Sequence, residues 1–167
     1  MDIANLQELL VDEMRDIYNA ETQILKALPK MAKKATNPKL KQAFESHLQE
    51  TEGHVERLKK VFEGLGQKPT GKKCAAMQGI IEEGSELMGE DMSEEAMDAA
   101  LIAAAQKVEH YEMASYGTVR AWANVAGLKD VAKILQQTLD EEGAADEKLT
   151  KIAESSINVE AANAAHA

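Results

Sequence analysis

Laid against itself with an offset of 91 positions and no gap, the chain pairs Glu21 with Glu112, Leu48 with Leu139 and Glu50 with Glu141. The same offset pairs Glu56 with Glu147 and Leu58 with Leu149. At 167 residues the chain is one ordinary domain with a single sizeable core, so the repeat divides that domain into two like halves. Within each half, apolar residues step by three and four, which places one apolar stripe on an α-helix. Leu6, Leu10, Ile17, Ile24, Leu28 and Met31 form the first series, and Leu40, Phe44, Leu48, Val55, Leu58 and Phe62 the second. Strong helix formers dominate, and only three prolines occur. Aromatics are 4% and β-branched runs are absent, leaving little from which to build a sheet. The fold class read from this is all-α.

Helix boundaries follow from local chemistry. The first helix is expected from about Asp2 to Ala35, with Pro29 kinking it. Thr36-Asn37-Pro38 is a break in which Asn37 caps the next helix and Pro38 takes its first position. Gly64-Leu65-Gly66 ends that second helix. A turn this short makes the two helices antiparallel neighbours. Gln67 to Met92 is a long crossover with a short helix of its own, roughly Cys74 to Met88. Ser93 caps the third long helix, which ends near Gly127, and the fourth runs from Lys129 to about Ile157. Two hairpins joined by one long crossover make a ferritin-like antiparallel four-helix bundle over residues 1–157. The small, polar segment 158–167 is expected to fray.

A net charge of −10 argues against nucleic acid and against an anionic membrane as partners. No apolar run approaches the roughly 20 residues of a membrane span. Met1-Asp2-Ile3-Ala4-Asn5 lacks the basic and apolar regions of a secretory signal, which points to the cytoplasm. Cys74 is the single cysteine, so no internal disulfide forms; it reads as an ordinary thiol, although Lys72 and Lys73 could lower its pKa.

Carboxylates on the apolar stripes carry the functional signal. Glu21 lies inside the first series, and Glu112 interrupts Val108, Val119 and Trp122 in the same way. Counting back from the turns brings Glu21 to the height of Thr51, Glu50 and His54, Glu112 to that of Glu142, and Glu109 to that of Asp146. The series Leu135, Leu139, Glu142, Asp146, Leu149 sets both acids of the last helix on its buried stripe. Buried acids repel one another unless a cation joins them. Imidazole with several carboxylates suits iron, manganese or zinc, and two bridged divalent ions would neutralise so many acids. The expected ligands are Glu21, Glu50, His54, Glu109, Glu112, Glu142 and Asp146. His47 reads as an edge histidine bonded to backbone, and Glu141 as a solvated flank residue.

Tyr18-Asn19-Ala20-Glu21, His47-Leu48-Gln49-Glu50-Thr51, the run from Ala100 to Gly117 and the acids of the last helix resemble the YciE/YciF family of bacterial stress-associated proteins. The resemblance spans Leu6 to Ile157. It implies a ferritin-like bundle, a homodimer and a two-metal centre, with no reaction assigned. The function expected from the residues and the resemblance together is a cytoplasmic stress-response protein that holds iron or manganese or consumes peroxide. One departure stands out. Ferritin-like di-iron proteins carry Glu-x-x-His on their second and fourth helices. Here the residue three past Glu50 is Gly53, and three past Glu142 is Ala145. A helical scaffold with a decayed metal site is the alternative reading.

Overall fold

The computed structural model describes residues 3–164. Four long helices carry the molecule: α1 (Leu6–Lys34), α2 (Pro38–Gly64), α4 (Glu94–Val125) and α5 (Lys129–Ile152), with α3 (Ala75–Gly89) on the crossover. No strand occurs among the described residues. The expected caps are in place: Asn37 accepts from the amides of Lys39 and Leu40, and Ser93 from that of Ala96. Pro29 is accommodated inside α1, on its exposed side. Gly127, at φ 78°, turns the chain between α4 and α5, a left-handed conformation that glycine adopts without strain.

The two hairpins are α1–α2 and α4–α5. Asp98, on α4 and 3% exposed, joins them. Its carboxylate accepts the amides of Thr36 and Asn37 and the Thr36 hydroxyl, at 2.9, 2.8 and 2.7 Å. The α1–α2 turn is thereby tied to the start of α4. On the crossover, the Lys72 amide bonds the Arg15 carbonyl and the Lys72 ammonium reaches Asp12 at 2.5 Å. That pairing removes Lys72 from the Cys74 thiol, which is fully buried and pushed up in pKa by burial. The structure therefore supports an ordinary thiol.

The apolar core comes in two blocks. One contains Ile24, Leu28, Phe44, Met97, Leu101, Leu149 and Ile152; the other contains Leu10, Met14, Ile17, Leu58, Phe62, Val119 and Leu135. On every long helix the sequence between its contributions to the two blocks carries buried polar groups. These are Glu21 on α1, His47, Thr51 and His54 on α2, Glu109, Glu112 and Ser115 on α4, and Thr138 and Glu142 on α5. A polar layer thus crosses the middle of the bundle.

Beyond α5 the expected fraying differs from what is seen. A π-helical turn, Ala153–Ile157, leads into a further helix, α6 (Asn158–Ala164). Alanine favours helix and Ile157 is buried at the start of this segment, so the chain has both a propensity and an anchor. Residues 165–167 of the expected tail lie outside the described residues.

Candidate metal centre

Five of the seven expected ligands meet in the polar layer, together with one residue read differently. Single ligand atoms of His47, Glu109, Glu112 and Glu142 lie within 4.8 Å of one another, and so do those of Glu21, His54 and Glu142. Glu142 belongs to both groups. The first hairpin supplies both imidazoles and one acid, and the second supplies three acids.

The contacts inside the layer are close but poorly aligned. His54 Nδ1 lies 2.9 Å from Glu142 Oε1 and 3.6 Å from Glu21 Oε1. His47 Nε2 lies 3.2 Å from Glu109 Oε1 and 3.7 Å from Glu142 Oε2. Even so, eight buried atoms here make no hydrogen bond of acceptable geometry: Glu21 Oε2, His47 Nε2, His54 Nδ1, Glu109 Oε2 and all four carboxylate oxygens of Glu112 and Glu142. An unsatisfied buried polar group costs about 1–3 kcal/mol. Eight of them rival a domain's whole stability, about 5–15 kcal/mol.

The electrostatics are those of acids confined together. Burial pushes the Glu109 and Glu112 carboxyls well above the ordinary carboxylate range, and the neighbouring Glu142 adds to both. Glu21 is raised by burial as well, against the opposing effects of His54 and Tyr116. For His54, burial favours the neutral ring, but the Glu142 and Glu21 carboxylates outweigh it and hold the pKa up at about 10. The Tyr116 hydroxyl, fully enclosed, donates to Glu21 Oε1.

Each imidazole is held from behind by an acid. Glu50 Oε2 faces His47 Nδ1 at 3.3 Å, and Glu141 Oε2 faces His54 Nε2 at 2.9 Å. Arg57 grips Glu141 with both terminal nitrogens, at 2.6 and 2.8 Å. Its guanidinium, with His54, overcomes partial burial and keeps the Glu141 pKa low. An acid on the far nitrogen of a metal-binding histidine fixes its tautomer and ring orientation.

Two expected ligands stand outside the layer. Glu50 is exposed, and its carboxylate meets the outer nitrogen of His47. Asp146 is half-buried and takes the Gln106 amide at 3.1 Å, with His110 Nε2 at 3.3 Å. The buried stripe of α5 runs Leu135, Thr138, Glu142, Leu149, Ile152, and Asp146 is rotated off its centre. Glu141, expected to be solvated, is instead partly covered and engaged. His47 was the residue sequence reasoning missed. It lies two helical turns before His54, a spacing that sets both rings on one face.

Comparison with known proteins places these residues in a family. Residues 5–162 match the family described as "Domain of unknown function (DUF892)". The chain is 45% identical over 166 residues to the protein YciF of Escherichia coli strain K12, covering 99% of this chain and all of that one. The crystal structure of that stress protein superposes with a TM-score of 0.90 over 93% of this chain and 99% of its own. YcfI from Rhodopseudomonas palustris, described as a candidate structural protein, is 50% identical, with a TM-score of 0.87 over 89% of this chain and 95% of its own. Sequence and fold agree over nearly the whole length: the chain belongs to the DUF892 family, together with the stress protein YciF.

Proposed function

We propose that this protein is a cytoplasmic metal-binding protein of the stress response that holds two iron or manganese ions between its hairpins. The observation that carries this reading is the set of eight buried donor atoms without hydrogen bonds, all in one layer. Protein interiors do not leave such groups unpaired without a reason, and cations supply one. His47, Glu109, Glu112 and Glu142 would hold one ion, and Glu21, His54 and Glu142 the other, with Glu142 spanning both. Mixed nitrogen and oxygen donors suit iron, manganese or zinc more than calcium or magnesium. Redox-active ions would supply the electrons by which such a centre consumes peroxide. The chain's own part is to fix the ligand geometry, through Glu50, Glu141 and Arg57, and to exclude bulk water with the two apolar blocks. Tyr116 holds a proton at Glu21 Oε1.

The test is elemental analysis of protein purified without chelator, followed by titration of the apo form with Fe(II) and Mn(II). One to two ions per chain is the expected result. No metal as purified and no uptake would overturn it. A second reading, a homodimeric scaffold whose metal site has decayed, is favoured by the missing Glu-x-x-His pairs and by the description of YcfI. It predicts that null result, and a dimer in sedimentation.

A further inference from the structure

An apolar pocket of about 200 Å3 lies beneath the crossover helix, between α3 and the face formed by α1 and α4. Leu28, Met31, Ile81, Met88 and Val108 are among its walls. Three observations say what it would take. The first is charge: Lys26 and Lys30 also line the pocket, one helical turn apart on α1 and both exposed. No carboxylate among the described residues lies within 4.0 Å of either, although the protein as a whole is acidic. The second is polarity along the pocket. Apart from Lys26 and Lys30 the lining holds no cation, so a negative head group finds a cationic partner only at the exposed end and the apolar walls are left to a tail. The third is size. An apolar cavity of about 150 Å3 holds the six carbons of benzene, and at that ratio about 200 Å3 holds about eight.

We infer that this pocket is a binding site for a medium-chain aliphatic carboxylate, its tail under α3 and its head group between Lys26 and Lys30. The binding does not require metal, so it goes beyond the proposed function and stands or falls separately from it. Small residues keep the space open. Ala27, Ala104 and Ala105 line it, and a methyl added at Gly84 would meet Ala104 Cβ at 3.6 Å, in ordinary contact.

The experiment is isothermal titration calorimetry of the full chain in chelator, with octanoate, hexanoate, butanoate and 1-octanol as probes. Saturable octanoate binding is expected, weakening about fourfold for each methylene removed. Lys26→Gln with Lys30→Gln should weaken octanoate by about threefold to fivefold and leave 1-octanol unchanged. Ala27→Leu, with its fold checked by melting, should abolish binding of both. Three results would each overturn the inference: no saturable octanoate binding, no dependence on chain length, or octanoate binding unaffected by Ala27→Leu. Sedimentation at the same concentrations separates a pocket covered by a second copy from an open one. A covered pocket that octanoate does not open also counts against it.

Discussion

Glu50 and Glu141 are repeat-related, 91 residues apart, and both brace an imidazole rather than facing into the buried layer. For these two the repeat says more than burial does, since equivalent places in the two halves do equivalent work. Arg57→Ala or Glu141→Gln should therefore lower metal affinity by about 10–100-fold, the usual cost of losing such a brace. Asp146→Ala should change it little, because Asp146 is turned toward Gln106 and His110. Competition with a fluorescent chelator measures both. Glu112, like Glu142, has neither oxygen bonded, and unlike Glu142 it has no imidazole nitrogen within 4.0 Å among the described residues. Replacing a buried ionisable group by an apolar one of similar size is often stabilising by about 1–4 kcal/mol. Glu112→Leu should thus melt higher than the parent protein in chelator, and added Mn(II) should no longer raise its melting temperature. A lower melting temperature in chelator would show that the carboxyl makes a structural bond.

At the scale of elements, what was legible in the sequence was whatever local chemistry decides. Asn37, Pro38, Ser93 and the glycines past α2 and α4 mark helix ends whatever the rest of the chain does. The layer's position was legible too, because an acid on an apolar stripe needs a reason. What escaped was rotation about a helix axis. The repeat through Leu135, Leu139, Glu142, Asp146 and Leu149 sets the stripe on one side of Glu142, whereas the buried series Leu135, Thr138, Glu142, Leu149, Ile152 lies on the other. Thr138 and Asp146 each lie about 40° from Glu142 around the axis but in opposite directions, and the bundle covers the Thr138 side and leaves Asp146 at the rim. His47 was hidden because its partners Glu109 and Glu142 belong to other helices. The same holds for Asp98, whose three bonds to the α1–α2 turn span about sixty positions of chain. Asp98→Ala orphans two backbone amides and should cost about 2–4 kcal/mol, read as a fall in the urea midpoint with an unchanged slope.

For the whole molecule, the charge held in the middle of the bundle sets how stability varies with pH. Glu21, Glu109 and Glu112 have raised pKa values, so the folded chain keeps protons there that the unfolded chain releases near pH 4.5. Their stabilisation is complete below that point and is lost as pH rises through the folded values. His54 acts in the same sense, its contribution being full below 6.5 and lost toward about 10. The depressed Glu50 and Glu141 are already ionised above pH 5.5, so nothing in this group opposes the trend. In chelator the melting temperature should therefore fall steadily from pH 5.5 to pH 9. With saturating Mn(II) the fall should flatten or reverse, since ligands bind metal after losing protons. Differential scanning calorimetry across that range checks both.

The two halves of the repeat, alike in outline, are no longer interchangeable. Tyr18 stands where the second half has Glu109, His47 where it has Thr138, Thr51 where it has Glu142, and His54 where it has Ala145. A pair of first hairpins would bring four imidazoles and two carboxylates to the middle, and a pair of second hairpins six carboxylates with no imidazole. The first pairing would be short of negative charge for two divalent ions, and the second would repel itself before any ion arrived. Only the mixed pair approaches balance. Whatever the ancestor of this repeat looked like, the present halves have divided the labour between them, and the covalent link now serves to ensure that each always meets the other kind.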